Sequence, residues 1–340
     1  MDLDTDAPAP PAEQARFGWI GIVKLAITAA LLGVLLARTP IAEVMARVAA
    51  VGSASLVLST GLLLLAVLAI GVRWRVVLRQ FGADAALAPS MRYTLIGGFF
   101  NQVLPSGMGG DVFRVWYARR FRLSTGRALA SVVVDRLLGL FAIAAIVTAG
   151  VPFVLWMNAP AALVAITAAA VALLGCGIAL FLSMDAWERL AQSMVQRLVP
   201  ERYHASAQRM IAGAAWSARS SRALLRAWPH GTIAIAISIG CQLLVGYVVF
   251  LLLRGMGQSV ALVTVLFLFP FVQLLSMLPI SFAGWGLREG AMVVAFRLVG
   301  VPAEAALGAS ILFGLCLLAS SLPGIPIWLS ERRHAHAPAK

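Results

Sequence analysis

In a chain this apolar, the residues that could do chemistry are few enough to name: Asp111, Arg114, Asp135, Arg136, Arg288 and Glu289. An ionisable group inside an apolar span costs about 2.5–3.5 kcal/mol on insertion scales, so each needs a partner or a task. A guanidinium fork matches phosphate geometry, which makes Arg114, Arg136 and Arg288 candidates for holding an anionic head group. Buried carboxylates can take up and release protons, which gives Asp111, Asp135 and Glu289 a coupling role. Pairing within the protein is the competing expectation. Asp111 and Arg114 stand three apart, an i,i+3 spacing near a helix start. Asp135 and Arg136 are adjacent, as are Arg288 and Glu289, and neighbours on a helix point about 100° apart. Neither pair is expected to face one common partner.

Two glycine-bearing stretches adjoin these charges, "NQVLPSGMGGDVFR" over residues 101–114 and "LPISFAGWGLRE" over 278–289. Gly107, Gly109 and Gly110 in the first, and Gly284 and Gly286 in the second, can present free backbone N–H groups to an anion. Asn101 either binds substrate hydroxyls or ties helices together. The first stretch lacks the GxxxxGK[ST] of a nucleotide loop, and Asp111 repels phosphate unless neutralised, so ATP-driven transport has no support. The histidines, His204, His230, His334 and His336, fall in polar flanks or at a span edge, and neither GxSxG nor HExxH occurs. No catalytic residue, metal site or cofactor is expected. Cys176, Cys241 and Cys316 lie in apolar runs without CxxC spacing and read as small buried hydrophobes.

Composition says what solvent the positioning elements were written for. Hydrophobic residues make up 61% of the 340 and charged ones 12%, with mean hydropathy +0.91, which excludes an ordinary soluble domain. The formal charge is +13, and every basic residue except Lys24 and Lys340 is arginine. In a membrane chain that excess marks cytoplasmic loops and lipid head-group contact, not nucleic acid. The expected class is an all-α polytopic membrane protein.

A spanning helix needs about 20 mostly apolar residues, and six segments qualify: 18–37, 51–72, 128–149, 160–183, 229–253 and 305–329. Nine arginines over 73–127 and seven over 184–228 put those loops, and both termini, in the cytoplasm. Lys24 snorkels to the interface. Two further apolar regions, 93–127 and 259–299, are too short to cross simply. With both termini inside, each must return to the side it entered. They are therefore expected as two opposed re-entrant or broken helices meeting near the middle, an inverted-repeat pattern. Non-helical backbone at that depth needs protein or a wet cavity around it. An eight-crossing arrangement with tilted helices fits the apolar lengths nearly as well.

The domain reading is a disordered tail over 1–16 and one membrane domain over 17–330, with a basic cytoplasmic tail over 331–340. Within the domain, 184–228 forms a cytoplasmic insertion. Trp187, Leu190, Met194 and Leu198 recur at spacings of three and four beside Arg189 and Arg197, a basic amphipathic helix for the membrane surface.

The blocks "GGFFNQVLPSGMGGDVFRVWYARR", "SVVVDRLLGLF" and "LPISFAGWGLREGAMV" resemble the flippase-like family named for the membrane region of lysylphosphatidylglycerol synthetases. The resemblance covers nearly all of residues 18–330. It places Asn101, Pro105, Gly109, Gly110, Asp111 and Arg114 in one motif, Asp135 and Arg136 in the next, and Gly286, Arg288 and Glu289 in the last. The middle block departs slightly: the family often has Glu-Arg where this chain has Asp135-Arg136. The resemblance implies translocation of an anionic or aminoacylated lipid, of phospholipid or polyprenyl-phosphate type, across the plasma membrane, the inner membrane of a bacterium. It does not carry the synthetase activity, because the longest soluble stretch, about 45 residues, is below domain size. The rival expectations are a membrane enzyme acting on a lipid-linked substrate, and an accessory subunit of a separately encoded lipid synthase. Head group, direction, driving ion and oligomeric state are not legible from the sequence.

Overall fold

The computed structural model describes residues 19–104, 109–156, 161–278 and 280–335, and among them there are helices, turns and loops but no strand. In chain order the helices are α1 (Trp19–Arg38), α2 (Ile41–Ala50), α3 (Ser53–Gln80), α4 (Leu87–Val103), α5 (Gly109–Ala118), α6 (Thr125–Ala149), α7 (Val151–Trp156) and α8 (Ala161–Leu182), followed by α9 (Met184–Leu198), α10 (Glu201–Arg226), α11 (His230–Gly255), α12 (Leu262–Ser276), α13 (Leu287–Arg297), α14 (Ala303–Ser321) and α15 (Gly324–Ala335). Extended backbone at Pro40, Pro200 and Pro302 sets the entries to α2, α10 and α14. Ser124 caps α6 by accepting from the Arg127 N–H at 3.4 Å.

Six helical stretches are long and apolar enough to cross a membrane, and all six expected spans are among them. This is an all-α, multi-pass membrane protein. The last stretch is about two-thirds buried and central, whereas those of α1 and α8 are about one-tenth buried and face outward.

The core divides into two large clusters that share α3 and α11 and a small one, Ile143, Val147 and Leu174, between α6 and α8. Leu63 of α3 and Val248, Val249 and Leu252 of α11 pack with α12, α13 and α14. Trp74, Val77 and Leu78 of α3 and Ala234 of α11 pack with α4, α5 and α6. Since α3 and α11 run antiparallel, the two large clusters lie toward opposite ends of the same long helices.

Each large cluster encloses a folded-back pair of short helices. In the α4–α5 pair Tyr93 stacks on Tyr117 with centroids 4.2 Å apart and Phe100 stacks on Phe113 at 3.8 Å. Gly97 faces Gly110 so closely that a Cβ on Gly110 would lie 1.7 Å from the Gly97 carbonyl oxygen. The backbones touch only because both residues lack a side chain. In the α12–α13 pair a 3₁₀ turn, Phe282–Gly284, makes the reversal, with positive φ at Ala283, Gly284 and Gly286. The Phe282 N–H donates to Thr28 Oγ1 of α1 at 2.8 Å, and the turn also contacts α4. At 1.5 Å per residue, α4, α5, α12 and α13 measure about 26, 15, 22 and 16 Å, short of the roughly 30 Å core of a bilayer.

Several details differ from the sequence reading. Helix α2 was not anticipated; its Val44 is buried and Val48 packs near Gly308 of α14. Helix α3 continues to Gln80, past residue 72, because no proline or polar cluster interrupts it before Gly82. The span read as 305–329 is two helices, and α15 continues to Ala335, so 331–335 is helix and Glu331 pairs with Arg120. Cys241 and Cys316 are buried, but Cys176 is exposed on outward-facing α8. The 184–228 segment is an antiparallel helical hairpin, α9 on α10. Arg222 grips Asp185 and the Leu182 carbonyl, and Arg219 reaches Glu188 at 3.0 Å. Trp187, Leu190, Met194 and Leu198 remain exposed along α9.

Candidate functional site

The charged residues of the two folded-back pairs gather into two separate centres. In the first, Asp135 of α6 is fully buried and accepts from Arg73 Nε at 2.7 Å and Arg114 Nη2 at 2.8 Å. Arg73 also donates to Ser238 Oγ of α11 at 3.0 Å, and the Arg114 guanidinium lies 4.5 Å from the centroid of Trp74. Asp111 accepts both arms of the Arg136 fork, Nε at 2.9 Å and Nη2 at 3.0 Å, and stands 3.6 Å from Arg114 Nη1. Asn101 Oδ1 accepts the Gly110 N–H at 2.9 Å and so ties the end of α4 to the start of α5.

The result is one chain of charge, Arg73–Asp135–Arg114–Asp111–Arg136, with three cations against two anions. Its exposure is graded. The Asp135 and Arg114 side chains are 1% and 4% exposed, Asp111 is 15% and Arg136 is 43%. Arg114 Nε is buried with no hydrogen-bond partner. Helical rise puts Asp135 about 15 Å from the start of α6, deep in a span, where a half-exposed guanidinium is costly unless it meets water or an anion.

The second centre, at α13 and α14, is sealed. Glu289 Oε1 accepts from Arg288 Nη2 at 2.7 Å, Arg288 Nε at 3.1 Å and Ser310 Oγ at 2.9 Å, while Oε2 takes the Gly286 N–H at 2.6 Å. Arg288 Nε also approaches Ser310 Oγ at 3.2 Å, and its guanidinium lies between Trp285 at 4.5 Å and Phe313 at 5.6 Å. Both charged residues are buried, one cation against one anion. Gly314 leaves room for it, since a Cβ there would fall 2.3 Å from Arg288 Nη2.

Of the sequence candidates, Asn101, Gly110, Asp111, Arg114, Asp135 and Arg136 thus meet in the first centre, Gly109 starts α5 against the Leu104 side chain, and Gly286, Arg288 and Glu289 meet in the second. Gly284 belongs to the turn behind the second, its φ of 81° placing it against the Ser276 carbonyl. Gly107 and Pro105 lie outside the described residues. Three expectations need correction. The Gly110 and Gly286 N–H groups are not free for an anion, because Asn101 Oδ1 and Glu289 Oε2 accept them. Arg288 and Glu289, though adjacent, do share a partner in Ser310 and pair with each other, because Glu289 folds back to the Gly286 N–H and the long arginine follows it. Asp111 is bound less to Arg114, three residues away, than to Arg136 on α6.

Sequence reasoning missed Arg73, which it counted among the loop arginines. The signal was the uninterrupted helix pattern through "GVRWRVVLRQ", which carries Arg73 about 10 Å inside the α3 terminus. Ser238 and Ser310, single hydroxyls in apolar runs, carried no signal.

Beside the second centre, Leu31, Ile166, Leu268, Val272, Gly286 and Val294 are among the residues that line a groove of about 310 Å³, apolar throughout. It suits acyl chains, not a head group. Among the described residues there is no cluster of three potential metal ligands.

The sequence profile described as the lysylphosphatidylglycerol synthase TM region matches residues 21–324. No curated protein matches the chain.

Proposed function

The chain belongs to the family of the lysylphosphatidylglycerol synthase TM region, which ties it to membrane lipid metabolism, and from that premise we propose that it is a lipid flippase and not an enzyme. Its substrate is an anionic or aminoacylated lipid carrying a phosphate, of phospholipid or polyprenyl-phosphate type. It works in the plasma membrane, a bacterial inner membrane, with both termini cytoplasmic, and the two short-helix pairs are re-entrant from opposite faces. The head group passes along the first centre, where Arg136 offers a guanidinium fork, while the acyl tails stay in lipid.

The observation that carries this reading is the surplus of cation over anion at the first centre, with its outermost arginine half-exposed deep in a span. A fixed positive charge in a low-dielectric site is stabilised by an anion that completes its pairing. An enzyme reading has no comparable support: among the described residues the buried carboxylates are committed to arginines, and the Ser310 hydroxyl that donates to Glu289 is itself buried. A separately encoded lipid synthase, supplying or consuming the substrate, is a natural partner.

The test is reconstitution of the full chain into phosphatidylcholine vesicles doped with labelled phosphatidylglycerol, lysyl-phosphatidylglycerol, a polyprenyl phosphate or a neutral lipid. Head-group exchange between leaflets is expected for a phosphate-bearing lipid above the rate in empty vesicles. No exchange of any lipid in either direction would falsify the proposal.

A further inference from the structure

The first centre holds its two carboxylates very differently. Asp135 is locked between Arg73 and Arg114 and is shut away from solvent. Asp111 accepts side-chain hydrogen bonds from one fork only, that of Arg136, and both partners are reachable from outside, the arginine at 43% and the aspartate at 15%. A second cation stands ready for Asp111, since Arg114 Nη1 is 3.6 Å from its Oδ1, beyond hydrogen-bond range yet within reach of a side-chain rotation. Arg114 has spare capacity as well, because its buried Nε has no partner.

A carboxylate held bidentate by a guanidinium has the shape and charge that a phosphate diester would present to the same fork. We propose that Asp111 is an exchangeable counter-ion: it closes the Arg136 fork until a phosphate-bearing head group takes that fork, and then turns onto Arg114. The swap leaves no charge uncompensated. Three guanidiniums then face two carboxylates and one phosphate. It also makes capture reversible, since Asp111 can return to Arg136 and displace the head group, which a site of naked arginines would hold too tightly to release. This rests on the flippase reading above and adds to it how the site loads and unloads.

The experiment measures binding of tail-labelled phosphatidylglycerol by the purified full chain in detergent, by fluorescence anisotropy, with inorganic phosphate as competitor. D111N frees the Arg136 fork and is expected to bind the lipid about tenfold more tightly, equivalent to one charge-assisted contact. In vesicles the same variant is expected to exchange lipid more slowly than wild type because release is impaired. D111E keeps the charge and is expected to return toward wild-type affinity. R136Q, and the double variant R136Q with D111N, are expected to bind equally weakly, because without the fork there is nothing for Asp111 to block. Should D111N fail to fold, as judged by gel filtration and thermal melting, D111S carries the same expectation. Equal affinity of wild type and the neutral variants would overturn the exchange while leaving the flippase reading standing. If neither wild type nor D111N binds any phosphate-bearing lipid, that reading falls and the exchange with it. Inorganic phosphate that binds D111N as tightly as the lipid does would keep the exchange and replace the lipid as the ligand.

Discussion

The two charged centres use the same parts to opposite ends. Each pairs a buried carboxylate with an arginine stacked 4.5 Å from a tryptophan, Arg114 on Trp74 and Arg288 on Trp285, and each recruits a serine from a neighbouring helix. The α13–α14 centre is charge-balanced and closed: one glutamate, one arginine, a backbone N–H and a hydroxyl satisfy one another. The α5–α6 centre is one cation in excess and opens outward through Arg136. A buried ion pair adds little net stability over apolar packing but is costly to break. A sealed, neutral pair therefore acts as a rigid joint, holding the α12–α13 reversal to α14. An open, unbalanced one can do something for a ligand.

The largest effects expected are on folding. D135A leaves Arg73 buried without an anion and Arg114 with only Asp111, 3.6 Å away, and is expected to cost at least the roughly 3–5 kcal/mol of a broken buried pair. E289A strands only Arg288 and is expected near the bottom of that range. Thermal melting of the detergent-solubilised variants ranks them, and E289A melting lower than D135A would mean that the second centre carries more of the fold. Next come the glycines of the two reversals. G110A puts a Cβ 1.7 Å from the Gly97 carbonyl, and the α4–α5 pair must part to admit it. G286A is strained at φ +87° and meets Leu31 Cβ at 2.9 Å, a cost of about 1–3 kcal/mol. The expected order is a greater loss for G110A, read by yield of monodisperse protein and melting midpoint.

Between the arginines the comparison becomes a double dissociation. R136Q removes a half-exposed fork but leaves two cations for two carboxylates, with Arg114 3.6 Å from Asp111, so its stability cost is expected to be well below that of D135A, while exchange of a phosphate-bearing lipid in vesicles falls to near background. R288Q leaves Glu289 buried with fewer donors and is expected to melt distinctly lower. The protein that does fold is expected to retain selectivity for the phosphate. Loss of exchange in both, at equal stability, would erase the distinction between a joint and a binding site.

These contrasts show how far the sequence could be read. The six spans were legible because about 20 apolar residues in a row mean one thing. The folded-back pairs were legible from their length and glycines, and the match in "GMGGDVFR" and "GWGLRE" pointed to both centres. The asymmetry between the centres was not. It depends on Arg73, which looked like one more loop arginine, and on which carboxylate each guanidinium chose, a matter of helix packing and not of spacing. Arg288 and Glu289 show the same limit: adjacency argued that they diverge, yet Gly286 and Ser310 draw both to one point. Helix α2 was missed because its ten residues are too few for a span and "TP" and "VGS" around it read as loop.

The smallest effect expected lies outside the six candidate spans, where the same kind of pair is partly exposed. Arg222 hydrogen-bonds Asp185 at the base of the α9–α10 hairpin and holds its carboxyl down to about 2, from an ordinary 3.8. Because the folded value is the lower one, the pair favours the closed hairpin above about pH 4, and that contribution disappears as pH falls through about 2. Hydrogen exchange of the α9 amides, corrected for intrinsic rates, is expected to be faster in D185N than in wild type at pH 4, and the gap is expected to close toward pH 2. Both side chains are partly exposed, so the effect is confined to the base of the hairpin and the spans keep their protection. A gap that persists at pH 2 would show that the hairpin is held by its packing on α6, α8 and α11 and not by this pair.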